Sequence, residues 1–144
     1  MNVLHLEENS YSEYSKNRLL RAAENVKFAA PLSQQELREV LAKDNYEAIF
    51  TSLGFYFGQE EFLLQQDLKF LITPTTGLNH IDLQESRRNN VTVLSLKYEK
   101  EFLKEVQSTS EHTWGLLLSL IRNIKPFTQN VEQGGWSRDK YDIQ

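Results

Sequence analysis

The chain has no cysteine among its 144 residues, which excludes disulfides, thiolate nucleophiles and cysteine-ligated zinc together. Three prolines and six glycines are too few for a collagenous or low-complexity chain, and no internal period points to a repeat protein. No apolar run approaches the roughly 18 residues that cross a bilayer. The opening Met1-Asn-Val-Leu-His-Leu-Glu-Glu8 lacks the basic-then-apolar order of a secretory signal, so the expected location is cytoplasmic, with no membrane partner. Basic residues are dispersed, with no cluster longer than Arg87-Arg88, and the formal net charge is −4. That pattern gives no nucleic-acid footprint. The three histidines, His5, His80 and His112, have no metal-ligand spacing. Neither a Gly-x-Gly-x-x-Gly turn nor a Walker loop occurs; the close glycines are Gly54/Gly58 and Gly134-Gly135.

What is present is a globular composition, 40% hydrophobic and 25% charged, long enough to bury one core. Short apolar runs alternate with helical patterns. Strands are expected at 3–6, 26–30, 48–51, 68–73 and 91–96, the fourth stopped by Pro74. Ser10-Tyr-Ser-Glu13 and Ser33-Gln-Gln-Glu36 read as capping boxes. The first opens a helix with Leu19, Ala22 and Ala23 inward; the second opens one with Leu37, Val40 and Leu41 inward. Short helices are expected near 60–66 and 82–89, with Asn90 left-handed just beyond the latter. Five strands spaced by helices predict an α/β, flavodoxin-like doubly wound parallel sheet over residues 1–98.

Residues 99–144 break this rhythm. A polar stretch, 97–107, leads to a third capping box, Ser108-Thr-Ser-Glu111. The helix beyond it, over 111–124, carries Trp114, Leu116, Leu117, Leu118, Leu120, Ile121 and Ile124 around nearly its whole circumference. A helix apolar on all sides requires partners on several sides. It is expected to pack on a second domain, a second subunit or both. Gln133-Gly-Gly-Trp-Ser-Arg138 shows no periodicity.

Ligands of parallel sheets bind at the carboxyl ends of the strands. The fourth strand ends in Pro74-Thr-Thr-Gly-Leu-Asn-His80, where Gly77 permits close approach or a positive φ. Free N–H groups around Thr76 and Gly77 would suit an anion such as a carboxylate. The competing reading is a loop whose threonines cap the next helix. His80 could act as acid or base, but a structural role is favoured. His5 reads as a core or rim histidine, and His112 as an interface hydrogen-bonding group. Phe55-Tyr-Phe57 is a lid, a contact patch or, the favoured reading, ordinary packing. Glu7-Glu8 resembles the acidic pair of receiver domains, yet Thr51-Ser52 stand where a phosphorylatable aspartate is needed, so Lys97 reads as a solvated charge.

Three stretches together carry a resemblance. They are Leu68-Lys-Phe-Leu-Ile-Thr-Pro-Thr-Thr-Gly-Leu-Asn-His-Ile-Asp-Leu83, then Ser108-Thr-Ser-Glu-His-Thr-Trp-Gly-Leu-Leu-Leu-Ser-Leu-Ile-Arg-Asn123, then Gly135-Trp136 with Arg138. In this order and spacing the chain resembles the front part of the NAD-dependent D-isomer-specific 2-hydroxyacid dehydrogenases, of the D-3-phosphoglycerate dehydrogenase-like kind. The resemblance implies a substrate-binding domain in which Thr75, Thr76 and Gly77 hold the carboxylate of a small 2-hydroxy or 2-oxo acid. It implies that Thr109 lies near the cofactor, NAD or NADP. The helix over 111–124 would cross to a nucleotide-binding domain and form a homodimer, with Trp136 in an arm on the partner.

The family's Gly-rich turn, catalytic arginine, acidic residue and general-acid histidine have no matching positions, so no catalytic residue is expected here. Tight NAD binding and turnover by the chain alone are not expected either. Ser52 stands where many members have a basic residue, which weighs against a phosphorylated or doubly acidic substrate. The rival expectations are a truncated paralogue serving as an interaction module and a degenerate receiver-like domain.

Overall fold

Leucine-, isoleucine- and phenylalanine-rich runs form five strands: β1 (Asn2–Leu6), β2 (Asn25–Ala29), β3 (Ala48–Phe50), β4 (Phe70–Thr73) and β5 (Thr92–Ser95). They pair side by side, all parallel, in the order β2-β1-β3-β4-β5. This is the flavodoxin-like order, with a switch point between β1 and β3. The computed structural model describes residues 1–6 and 11–136. The chain divides into two compact units, Met1–Lys100 and a second from Glu101 onward.

The helices of the first unit are α1 (Glu13–Ala22), α2 (Gln34–Lys43), α3 (Gln59–Leu63) and α4 (Leu83–Arg88). Strand side chains alternate between faces. Leu4, Ile49, Leu71 and Val93 share one face, where they pack in a core with Leu37 and Leu41 of α2 and Phe62 of α3. The opposite face aligns Phe28, His5, Phe50, Ile72 and Leu94 across all five strands. His5 on β1 is buried there, while Leu94 on the edge strand is exposed. Leu19 of α1 is half-buried, but Ala22 is exposed and α1 contributes no fully buried residue.

Helix starts differ from the sequence expectations in instructive ways. Ser12 caps α1 by accepting from Ser15 N–H at 3.3 Å; Ser10, which the sequence offers as the cap, lies outside the described residues, as do Glu7, Glu8 and Arg138. Ser33 caps α2 through Glu36 N–H, but the Glu36 carboxylate reaches one residue further back, to Leu32 N–H at 2.9 Å. Asp82 caps α4 through the N–H groups of Gln84 and Glu85, and Asn90 is left-handed at φ 55°. Gln65, fully buried, accepts from Tyr46 N–H and donates to the carbonyls of Leu41 and Asp44, closing the end of α2.

The second unit contains most of α5 (Lys100–Glu105), formed inside the polar stretch 97–107, for which no element was expected, and preceded by a 3₁₀ turn at Leu96–Tyr98. It continues with α6 (Ser108–Ile121) and α7 (Ile124–Glu132). The third capping box does not form: Ser108 is already helical, and Gln107 occupies the cap without a side-chain bond. The helix expected over 111–124 breaks at Asn123, whose φ of 50° is left-handed, so Ile124 opens α7 instead. Pro126 in the first turn of α7 is compatible with that restart, because its missing N–H would have no intrahelical partner there. Gly134-Gly135 then closes α7. Gly134 is left-handed at φ 78° and donates to the Val131 carbonyl; Gly135 donates to that of Asn130. These are the two bonds of a Schellman motif, so the aperiodic tail encodes a helix stop. Among the described residues no helix is long and apolar enough to cross a membrane.

Candidate functional site

The carboxyl end of β4 leads directly into the 74–77 loop. The following helix is capped by Asp82, and the Thr75 hydroxyl bonds within the loop instead; the threonine-cap reading is thereby excluded. Thr75 Oγ1 donates to the Gly77 carbonyl at 2.7 Å and lies 3.0 Å from Thr73 Oγ1, which in turn lies 3.3 Å from His80 Nε2. From the neighbouring strand, Ser95 Oγ donates to the Thr75 carbonyl at 2.6 Å and accepts from Lys97 N–H. Thr73 and Ser95 are direct partners in the β4–β5 register, which is what brings Ser95 under the loop.

Fixing the Thr75 carbonyl has a consequence for the next amide. No peptide bond here is cis, so the Thr76 N–H points opposite to the Thr75 C=O, away from Ser95. Thr76 and Gly77 are exposed, and neither amide meets an acceptor among the described residues. Gly77 does not adopt a positive φ, and a Cβ there would meet nothing within 4 Å. The glycine leaves open space over the loop; its backbone conformation does not require it.

Beside this loop lies a cavity of about 280 Å³ lined by Phe50, Ile72, Thr73, Pro74, Leu94 and Ser95, among others. A separate cleft of about 380 Å³ lies against α1, lined by Tyr11, Tyr14, Leu19 and Phe50 among others; no loop residue borders it.

His80 sits two residues before the α4 cap and is buried. Its carbonyl accepts from Phe57 N–H at 2.9 Å, and its Nδ1 has no hydrogen-bond partner. Burial lowers the imidazole pKa below its usual value, favouring the neutral ring. Phe55 and Phe57 are buried in the core, while Tyr56 is exposed, so the aromatic run is packing rather than a lid. Gln34 brackets the main chain of Tyr56, accepting from its N–H and donating to its C=O. The same Gln34 amide, Arg38 Nε and Gly58 N–H all donate to the buried Glu61 carboxylate. Burial pushes the Glu61 pKa up, but those donors outweigh it and hold the carboxyl below its usual range. His5 is buried in β1, stacked on Phe50 with ring centres 5.2 Å apart and edge-on to Tyr11 at 4.4 Å.

Thr109 belongs to the second unit, exposed in the first turn of α6. Its carbonyl accepts from Thr113 Oγ1 at 2.8 Å, and it borders a cavity of about 360 Å³ with Ser110, Thr113, Trp114 and Leu117. His112 is exposed on the same helix. Among the described residues no cluster of three His, Asp or Glu could hold a metal ion.

A dinucleotide fits these residues poorly. The link from β1 to α1 contains no glycine that would let the backbone approach a pyrophosphate. Gly58 stands at the start of α3, but a Cβ-sized space there is already filled by the Tyr56 ring at 2.6 Å.

No protein-family model matches the chain. Formate dehydrogenase of Pseudomonas sp. is 33% identical over 82 residues, which are 57% of this chain and 19% of that protein. The D-specific alpha-keto acid dehydrogenase of Enterococcus faecium is 29% identical over 77 residues, 54% of this chain and 22% of its own length. The D-lactate dehydrogenase of Aquifex aeolicus, solved with NAD and lactic acid, shares the fold with a TM-score of 0.74 at 20% identity, over 99% of this chain and 40% of that one. The curated relatives of this chain are dehydrogenases of the D-2-hydroxyacid dehydrogenase family. The chain spans about a fifth of the curated D-2-hydroxyacid dehydrogenase relatives named here. Thr73 and Ser95 were not singled out in the sequence. Their signal was the register, since each is the last residue of its strand and they fall opposite one another.

Proposed function

We propose that the chain supplies the carboxylate-binding loop of an NAD(P)-dependent D-2-hydroxyacid dehydrogenase, and none of its catalytic residues. The observation that carries this is the pair of unpartnered amides of Thr76 and Gly77, both exposed residues at the carboxyl end of β4, in a chain whose homologues are dehydrogenases. Two backbone donors can grip a carboxylate without a cationic side chain, with Thr75 shaping the loop between them. Holding that end of a 2-hydroxy or 2-oxo acid orients its second carbon. The redox chemistry would be supplied by a bound nicotinamide. Thr109 is assigned to the edge of the cofactor site, and α6 to a homodimer interface; a cytoplasmic location accords with this role.

The test is titration of the ¹⁵N-labelled 144-residue chain with pyruvate, a minimal 2-oxo acid. The amides of Thr76 and Gly77 are expected to shift in a saturable way, and the chain alone is expected to oxidise no NADH. Unmoved loop amides would remove the carboxylate assignment, and measurable turnover would refute the absence of catalytic residues. A second reading, an interaction module, draws on the exposed apolar residues of α6, and it predicts association without any response to pyruvate.

A further inference from the structure

We infer that His80, held as the Nε2–H tautomer, is the positioning residue of the 75–77 loop, acting through the hydroxyls of Thr73 and Thr75. The inference rests on proton accounting. Each threonine hydroxyl has one proton to donate. Thr75 donates its proton to the Gly77 carbonyl, so at its contact with Thr73 it can only accept. Thr73 therefore donates to Thr75, and at its own contact with the imidazole it can only accept. The proton between them must come from His80 Nε2. This leaves Nδ1 as a bare lone pair, and Nδ1 is the buried ring atom without a partner.

The result is a directed chain: His80 Nε2–H to Thr73, Thr73 to Thr75, Thr75 to the Gly77 carbonyl. Thr73 and His80 are both buried, so water does not easily replace either link. The His80 main chain is fixed independently by Phe57 N–H, which keeps the ring over Thr73. Ser95 sets the peptide between Thr75 and Thr76, whereas this chain sets the carbonyl of Gly77. Together the two tethers hold the Thr76 N–H away from Ser95 and fix the 75–76 and 77–78 peptides, which flank the one that carries the Gly77 N–H. A histidine fits this task because it can donate at Nε2 while remaining neutral, placing no charge beneath the loop.

The role in anion binding rests on the carboxylate reading above, and the two are separable by experiment. In the full chain without ligand, long-range ¹H–¹⁵N correlations of His80 at pH 8 are expected to show a protonated Nε2 and an unprotonated Nδ1; the opposite tautomer would overturn the inference. Thr73→Val removes the hydroxyl at nearly constant volume. It should loosen the tautomer preference and shift the Thr76 and Gly77 amides before any pyruvate is added; unchanged loop amides would also overturn it. In pyruvate titrations Thr73→Val and His80→Leu should each weaken binding about tenfold. His80→Gln, which can place an N–H near the same point, should stay within about threefold of the parent chain. A chain with the expected tautomer and coupled amides but no pyruvate response would retain the positioning role and discard the carboxylate reading.

Discussion

Around the 74–77 loop the hydroxyls of Thr73, Thr75 and Ser95 all bond inward and leave main-chain amides at the surface. Along α6 the reverse holds. The backbone is consumed within the helix, and Trp114, Leu116, Leu117, Leu118, Leu120 and Ile121 are all exposed. The first region offers directional donors that suit a small anion. The second offers contiguous apolar surface, which suits association with a macromolecule. The two surfaces differ in chemistry, and they should respond differently to substitution.

The largest expected effect is at α6. Burying one leucine contributes about 1.5–3 kcal/mol, so Leu117→Asp combined with Leu120→Asp should weaken self-association by about 100-fold or more. Sedimentation velocity measures this; a parent chain that stays monomeric at high concentration would sink the homodimer assignment. Next comes the buried carboxylate of Glu61 in α3. Glu61→Leu strands the donors of Gly58 and Gln34, and should lower stability by about 2–3 kcal/mol in urea unfolding. Arg38 is partly exposed and can turn to water, which limits the loss. A change below about 0.5 kcal/mol would mean that this network contributes little.

The smallest effect is the pH response of His80. Its pKa is depressed in the folded chain, so the unfolded chain takes up the proton first as pH falls. The His80 contribution is therefore intact above about pH 6.5 and lost on acidification towards the lower folded value. His80→Gln should flatten this part of the stability profile. The Glu61 contribution follows at lower pH, present above the usual carboxylate value of about 4.3 and lost as pH falls through its depressed folded value. An unaltered slope between about pH 6.5 and 5 in His80→Gln would assign that loss to another group.

Most of the architecture was legible because it rests on local signals. Alternating apolar runs, Pro74 and Asn90 mark the strands and turns, and the β2-β1-β3-β4-β5 order follows the common doubly wound pattern. Errors cluster where one local signal competes with another. Ser108 and Glu111 have capping-box spacing, yet the helix begins at Ser108 itself, with Gln107 in the cap. The apolar pattern also continues across Asn123, concealing a single left-handed residue that ends one helix and starts another. At the loop, Thr76 and Gly77 could be proposed from hydroxyl content and position. The supporting contacts of Thr73, Ser95 and His80 could not, because they depend on strand register and on which way each hydroxyl proton points.

The free donors of the 74–77 loop are peptide groups, and Thr76 contributes no side-chain hydrogen bond of its own among the described residues. A surface built this way is tolerant of mutation at its visible position. Alanine, serine or asparagine at residue 76 would present the same N–H, whereas proline would erase it. Selection on such a surface would therefore fall on the residues underneath it, and related chains should vary more at residue 76 than at the residues that support it.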